Sequence, residues 1–273
     1  MAGLRERLIV ALDVSNGAEA QALVGQIGDA AAWYKVGLQL FTREGPGIVR
    51  DLVSSGRKVF LDLKFHDTPT TVGSAARAAA ALRVGMFTVH ASAGMESLKA
   101  AVEAAQASSG HPLVLAVTVL TSLDSADLAD IGIPSSASQQ VMRLAEMAHR
   151  AGCGGIVSSS HELKSLRQKF PAQGGLEGES SGSHFTGSPS GPAPLAIVVP
   201  GIRPAGSDHG DQARVATPGE AIAAGATFIV VGRPVSKAAN PASAVQDILR
   251  EMELAEAEPR SLDRFLSGRI RDP

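Results

Sequence analysis

The chain has 273 residues, 44% of them hydrophobic and 4% aromatic, with a formal net charge of −2. That is enough sequence for one large core, while a near-neutral balance without a basic block excludes nucleic acid as the main partner. Cys153 is the only cysteine, which rules out an internal disulfide and points to a reducing, cytoplasmic setting. From the N-terminus, Arg5 and Arg7 lead straight into an apolar run at 8–13, without the features of a signal peptide. Further short apolar runs follow at 34–38, 58–64, 86–90, 113–120, 155–158, 196–200 and 228–232. None is long enough to cross a bilayer, so no membrane partner is expected. Between them lie Ala-rich stretches with helical spacing, near 17–29, 41–55, 69–82, 95–108, 136–151, 161–170, 217–224 and 236–254. Eight βα units with continuous rather than alternating strands predict a buried parallel sheet. Eight units in about 250 residues, with no Gly-x-Gly-x-x-Gly after the first strand, favour a closed (β/α)8 TIM barrel in a single domain at 1–255 over an open doubly wound sheet.

Two segments read as accessory. Residues 172–194 are rich in Gly, Ser and Pro and cannot build a core, so a flexible insertion is expected on the amino-terminal face, with His184 a solvated loop residue. Residues 256–273 form a charged tail. Cys153, in Ala151-Gly152-Cys153-Gly154-Gly155, reads as a small buried residue rather than a nucleophile.

Polar residues gather in one place. Asp13, Lys35, Asp62, Lys64, His90, Thr121, Gly201, Arg203, Gly232 and Arg233 all fall at or just beyond expected strand ends. In such barrels that rim is where ligands bind. The string Val59-Phe60-Leu61-Asp62-Leu63-Lys64-Phe65-His66-Asp67 ends an apolar strand in three charges. Asp62 and Lys64 stand two apart and so leave the same face of an extended strand. Buried there, they carry a desolvation penalty unless they meet each other or a charged ligand. Taken alone, the pair reads as a structural ion pair. Lys35 belongs to the neighbouring strand, about 5 Å away, so Lys35, Asp62, Lys64 and Asp67 are expected to form one alternating network. A lysine so placed is a poor Schiff-base nucleophile but a well-positioned acid and electrostatic partner.

The last two strands add a phosphate grip. Ile229-Val230-Val231-Gly232-Arg233-Pro234 offers a glycine that lets backbone approach an anion, then a cation; Val199-Pro200-Gly201-Ile202-Arg203-Pro204 supplies a second guanidinium. Phosphate held by the seventh and eighth loops is common in this architecture. No transition-metal spacing and no Gly-x-Ser-x-Gly elbow is present, so charge-driven chemistry on a phosphorylated small molecule is expected, with no metal and no redox cofactor. Thr68-Pro69 reads as an N-cap followed by proline at the first helical position, which fixes Asp67 at a rigid helix start. The glycine-containing segment 206–212 suits a mobile lid over the phosphate. His66 is expected to pack on the outer layer of the barrel, and His90 to satisfy backbone groups rather than touch ligand.

With these motifs in order, the chain resembles the orotidine 5′-phosphate decarboxylases, the last enzymes of de novo uridylate synthesis. The resemblance runs through Ala11-Leu12-Asp13, Tyr34-Lys35-Val36-Gly37, Asp62-Leu63-Lys64-Phe65-His66-Asp67-Thr68-Pro69, Val89-His90-Ala91, Val117-Thr118-Val119-Leu120-Thr121-Ser122, Pro200-Gly201-Ile202-Arg203-Pro204, Asp211-Gln212 and Val231-Gly232-Arg233-Pro234. It departs at Val199, where threonine is frequent, in the insertion and in the tail. The resemblance implies a cofactor-free lyase of pyrimidine biosynthesis that converts orotidine 5′-phosphate to uridine 5′-phosphate (UMP). Lys64 would donate the proton to C6, and Asp62 would lie against the substrate carboxylate, raising the ground state by like-charge repulsion. Lys35 and Asp13 would hold ribose hydroxyls, Thr121 the pyrimidine edge, and Arg203, Gln212, Gly232 and Arg233 the phosphate. Asp67 and Thr71, with Thr68 beside them, would reach into the partner subunit's site of a homodimer.

Three other readings remain. A sugar-phosphate decarboxylase or aldolase of the same superfamily shares Asp13, Asp62, Lys64 and Asp67, but it uses magnesium with an acidic residue where this chain has Lys35, a cation that would repel the metal. A non-catalytic nucleotide sensor would need a disabled site position. A triose- or indole-type isomerase would share the phosphate grip without the alternating charges.

Overall fold

A computed structural model describes residues 2–172, 194–204 and 216–267. Eight strands run parallel in sequence order: β1 (Leu8–Ala11), β2 (Trp33–Gly37), β3 (Lys58–Phe65), β4 (Met86–His90), β5 (Leu113–Val117), β6 (Gly155–Val157), β7 (Ala196–Val199) and β8 (Phe228–Val231). They close into a barrel where β1 pairs with β8. This is the expected (β/α)8 TIM barrel. α1 (Ala2–Arg5) precedes β1 and α2 (Gly17–Ile27) follows it. α3 (Leu38–Glu44) and α4 (Gly47–Ser54) follow β2, α5 (Pro69–Ala81) follows β3, and α6 (Met95–Gln106) follows β4. α7 (Ser125–Asp130) and α8 (Ala137–Arg150) follow β5, α9 (Leu163–Lys169) follows β6, and α10 (Pro218–Ala223) follows β7. α11 (Arg233–Ser236) and α12 (Pro241–Ser267) complete the chain.

Several boundaries differ from expectation for identifiable reasons. The helix expected at 41–55 is two helices, because Gly45 at φ +63° ends α3 and Pro46 has no N–H to continue it. Most strands stop one to three residues before their apolar runs do, since the last residues of each run leave the ladder to shape the mouth. α12 runs on through residues expected as a tail. Glu256 within it ion-pairs with Arg7, whose guanidinium also donates to Ala226 O and Thr227 O at 2.7 and 3.2 Å.

Side-chain alternation splits the core into two layers. Outward residues such as Val10, Val36, Leu61, Phe87 and Val231 pack against the helices. Inward residues Ile9, Ala11, Trp33, Phe60, Met86, Leu115, Val198 and Val230 fill the barrel. Trp33 forms its floor: it meets Phe228 edge-on at 6.0 Å, donates from Nε1 to Glu6 at 3.2 Å, and lies under the Lys58 ammonium. Gly85 leaves it room, since a Cβ there would fall 2.4 Å from the indole. On the same face Arg167 donates to Phe170 O, Leu195 O, Gly225 O and Thr227 Oγ1 at 3.4, 2.9, 2.6 and 2.7 Å. It thereby ties α9 to the start of β7. The intervening insertion, including His184, lies outside the described residues at 173–193, as do 205–215. Cys153 is buried and its thiol is pushed up to about 12 by burial, the inert residue expected. Among the described residues no helix is long and apolar enough to cross a membrane.

Candidate active site

β3 does not reach the mouth as a regular strand. Leu61 pairs with Phe87 and Phe65 with Val89, so four steps of β3 oppose two of β4. Lys64, inside this bulge, has φ +51°, a left-handed conformation costing about 1–3 kcal/mol in a residue with a Cβ. The irregularity adds an even number of residues, so the facing of side chains survives. Leu61, Leu63 and Phe65 pack outward, and Phe60, Asp62 and Lys64 line the interior and mouth.

There the charges meet. Lys64 Nζ donates to both Asp62 oxygens at 2.9 Å. Lys35 Nζ lies 2.9 Å from Asp13 Oδ1 and 3.9 Å from Asp62 Oδ2. The result is a chain Asp13–Lys35–Asp62–Lys64. The side chains of Lys35 and Asp62 are only 13% and 14% exposed, so solvent and salt screen them weakly, whereas Asp13 at 56% faces water. Gly37 makes room for this arrangement, because a Cβ there would come within 3.0 Å of Lys35 Nζ.

The four residues share a cavity of about 280 Å³ with Phe60, Thr121, Ser158, Gly201, Arg203, Gly232 and Arg233. That volume is close to the lower bound of small-molecule sites, about 300–1,000 Å³. Gly232 has φ −107°, so no left-handed turn calls for glycine there, and a Cβ would stand at an ordinary contact distance of 3.4 Å from Asp13 Oδ2. Arg203 is buried, with Nη1 donating to Ile202 O at 3.0 Å. Its backbone N–H donates to Ala216 O, bringing together the described ends that flank 205–215. Gln212 and the expected lid at 206–212 lie outside the described residues.

Three expectations need correction. Asp67 does not join the network; Asp13 takes the fourth place. β3 ends at Phe65 and α5 starts at Pro69, so Asp67 sits on the connection, exposed. Its Oδ1 accepts from the Thr68 N–H at 2.6 Å and the Thr68 hydroxyl at 3.1 Å. Those bonds, the backbone one first, hold the Asp67 carboxyl below the usual carboxylate range. Thr68 stands at the N-cap position of α5 but makes no side-chain cap; its hydroxyl bonds Asp67 and lies 3.2 Å from Thr71 Oγ1. His66 does not pack on the outer layer. It is exposed and stacks on His90, centroids 5.2 Å apart and planes at 21°. His90 bonds a side chain rather than backbone, its Nδ1 lying 2.6 Å from Ser92 Oγ.

Residues 6–248 match the family model described as orotidine 5′-phosphate decarboxylase / HUMPS family. The chain is 47% identical over 243 residues to a protein from Anaeromyxobacter sp. (strain K) named orotidine 5′-phosphate decarboxylase, covering 89% of this chain and 96% of that one. It is 44% identical over 249 residues to a protein of the same name from Halorhodospira halophila, covering 91% and 97%. The crystal structure of orotidine 5′-phosphate decarboxylase from Lactobacillus acidophilus superposes with a TM-score of 0.73 at 34% identity, covering 90% of this chain and 98% of that one. The chain belongs to the orotidine 5′-phosphate decarboxylase / HUMPS family.

Within this family barrel, two polar residues at the site were not foreseen. Thr88 is fully buried on β4, and its Oγ1 contacts both Asp62 and the Lys64 backbone. A threonine inside the apolar run Met86-Phe87-Thr88-Val89-His90 was the available signal. Ser158, just past β6, lines the cavity and is buried, and among the described residues its hydroxyl has no hydrogen-bond partner.

Proposed function

We propose that the chain decarboxylates orotidine 5′-phosphate to UMP without metal or redox cofactor, with Lys64 as the proton donor. The observation that carries this is the Asp13–Lys35–Asp62–Lys64 chain, which shares one cavity with Arg203, Gly232 and Arg233. Phosphate is held by Gly232, Arg233 and Arg203, with Gln212 assigned to the same group by the family resemblance. Ribose hydroxyls meet Asp13 and Lys35, and Thr121 meets the pyrimidine edge. The substrate carboxylate then lies near Asp62, where repulsion is relieved as carbon dioxide leaves. The C6–carboxylate bond breaks, its electron pair stays on C6, and a proton passes from Lys64 Nζ to C6. The ammonium also stabilises the developing negative charge in a part-buried site.

A magnesium-dependent member of the same family is disfavoured by one residue. Lys35 Nζ occupies the space between Asp13 and Asp62, where a cation shared by those carboxylates would be bound. The working unit in this reading is a homodimer, in which exposed Asp67 and Thr71 face the partner's site. The cytoplasm is its compartment, a reading supported by the lone, buried Cys153.

The test is ultraviolet loss of orotidine 5′-phosphate in metal-free buffer. Activity is expected to survive a chelator and to vanish in Lys64→Ala, which still binds UMP. Activity that depended on added magnesium would overturn the reading.

A further inference from the structure

One hydroxyl from outside β3 touches both residues on which the decarboxylase reading rests. Thr88 Oγ1 accepts from the Lys64 N–H at 2.9 Å and donates to Asp62 Oδ1 at 3.0 Å. The direction of both bonds follows from chemistry. A backbone N–H can only donate, so it takes a lone pair of the hydroxyl, and the hydroxyl proton is left for the carboxylate.

The surrounding geometry makes this contact consequential. The bulge between Leu61 and Phe65 interrupts the β3–β4 ladder at Lys64, and the side chain of Thr88 supplies the partner for its N–H. The left-handed backbone of Lys64 persists only where neighbours over-determine it. Thr88 is suited to do so. It is β-branched, with restricted χ1, and fully buried. Its strand is paired on both sides, to β3 and to β5. Lys64 Nζ bridges both Asp62 oxygens; Oδ1 is tied in addition to Thr88, and Oδ2 is the oxygen that faces Lys35 at 3.9 Å.

We propose that Thr88 is a positioning residue for the reaction: it locks the Asp62 carboxylate and the Lys64 backbone in one relative geometry and so aims the Lys64 ammonium. The proposal rests on the decarboxylase reading. It acts through Asp62 and Lys64 rather than through substrate, so its removal lowers turnover and leaves nucleotide affinity in place.

Thr88→Val keeps the shape and removes both hydrogen bonds; Thr88→Ser keeps the hydroxyl. Because a misplacement of about 1 Å can reduce rate about 100-fold, kcat on orotidine 5′-phosphate is expected to fall by about 30–100-fold in Thr88→Val and to return to within about fivefold of the parent in Thr88→Ser. The Kd for UMP should stay within about threefold in both. Where Thr88→Val does not fold, Thr88→Ala against Thr88→Ser reads the same contrast. Parent-like kcat in Thr88→Val overturns the proposal alone, as do equal losses in the valine and serine variants, or UMP affinity lost in step with kcat. A parent protein inactive on orotidine 5′-phosphate overturns the decarboxylase reading and the proposal with it.

Discussion

The Lys64 ammonium lies 2.9 Å from both oxygens of Asp62 while the Lys64 backbone is held at φ +51°. Function and strain thus share one residue, and substitution can separate them. Lys64→Ala and Lys64→Gly both remove the ammonium proposed as the proton donor, and both are expected to be inactive. Alanine keeps a Cβ in the left-handed region, whereas glycine enters it freely. After allowance for the greater freedom of glycine in the unfolded chain, Lys64→Gly should exceed Lys64→Ala in stability by about 0.5–1 kcal/mol in urea denaturation. The reverse order would show that the bulge stores no strain at this position.

Gly37 tests the placement of Lys35. A Cβ at Gly37 would stand 3.0 Å from Lys35 Nζ and 3.7 Å from Asp13 Oδ1. The nearer atom is the end of a flexible side chain, so Gly37→Ala is accommodated by moving the ammonium rather than the barrel. Stability should change by no more than about 0.5 kcal/mol, while kcat/KM for orotidine 5′-phosphate falls by about 10–100-fold. Unchanged kinetics in a stable variant would mean that the Asp13–Lys35 contact contributes nothing to turnover.

Why some of this was legible in the sequence and some was not follows from the kind of information each feature needs. Eight apolar runs and the polar residues at their ends reveal the barrel and its rim, because strand period and burial are local properties. The shared facing of Asp62 and Lys64 could be read by counting two residues, yet it holds only because the bulge adds an even number. The bulge itself, and Thr88 as its partner, depend on the register between β3 and β4, which no local pattern encodes. Asp67 was placed in the network by proximity in sequence. The start of α5 turns it outward instead, toward the Thr68 amide and hydroxyl. The stacking of His66 on His90 likewise depends on where the connection after β3 passes the end of β4.

Ser158 gives a stability prediction of unusual sign. Its hydroxyl is buried and, among the described residues, lacks a partner. Such a group carries a desolvation penalty of about 1–3 kcal/mol, and most substitutions in a core destabilise. Ser158→Ala removes the unsatisfied oxygen at little loss of volume, so the nucleotide-free protein should gain about 1 kcal/mol in thermal or urea unfolding. A loss of stability would reveal a hydrogen bond to the hydroxyl in the free protein.

His90 sets an acid-side dependence. It ends β4, half-buried, with its ring on His66 and Nδ1 near Ser92 Oγ. Burial first, then the neighbouring His66 and Lys64, hold its imidazole below the ordinary histidine range. An unfolded histidine titrates near about 6.5, so at lower pH the unfolded chain binds a proton that the folded chain resists. The stability contributed by neutral His90 is therefore complete above about pH 6.5 and is lost as pH falls through the depressed folded value. His90→Gln removes this titration. Its Tm should run parallel to that of the parent above about pH 7 and decline less between about pH 6.5 and 5. The carboxylate of Asp67, held low by Thr68, loses its contribution further toward acid in both proteins and does not distort the comparison. Parallel curves across the whole range would mean that the His90 imidazole binds its proton as readily in the folded chain as in the unfolded one.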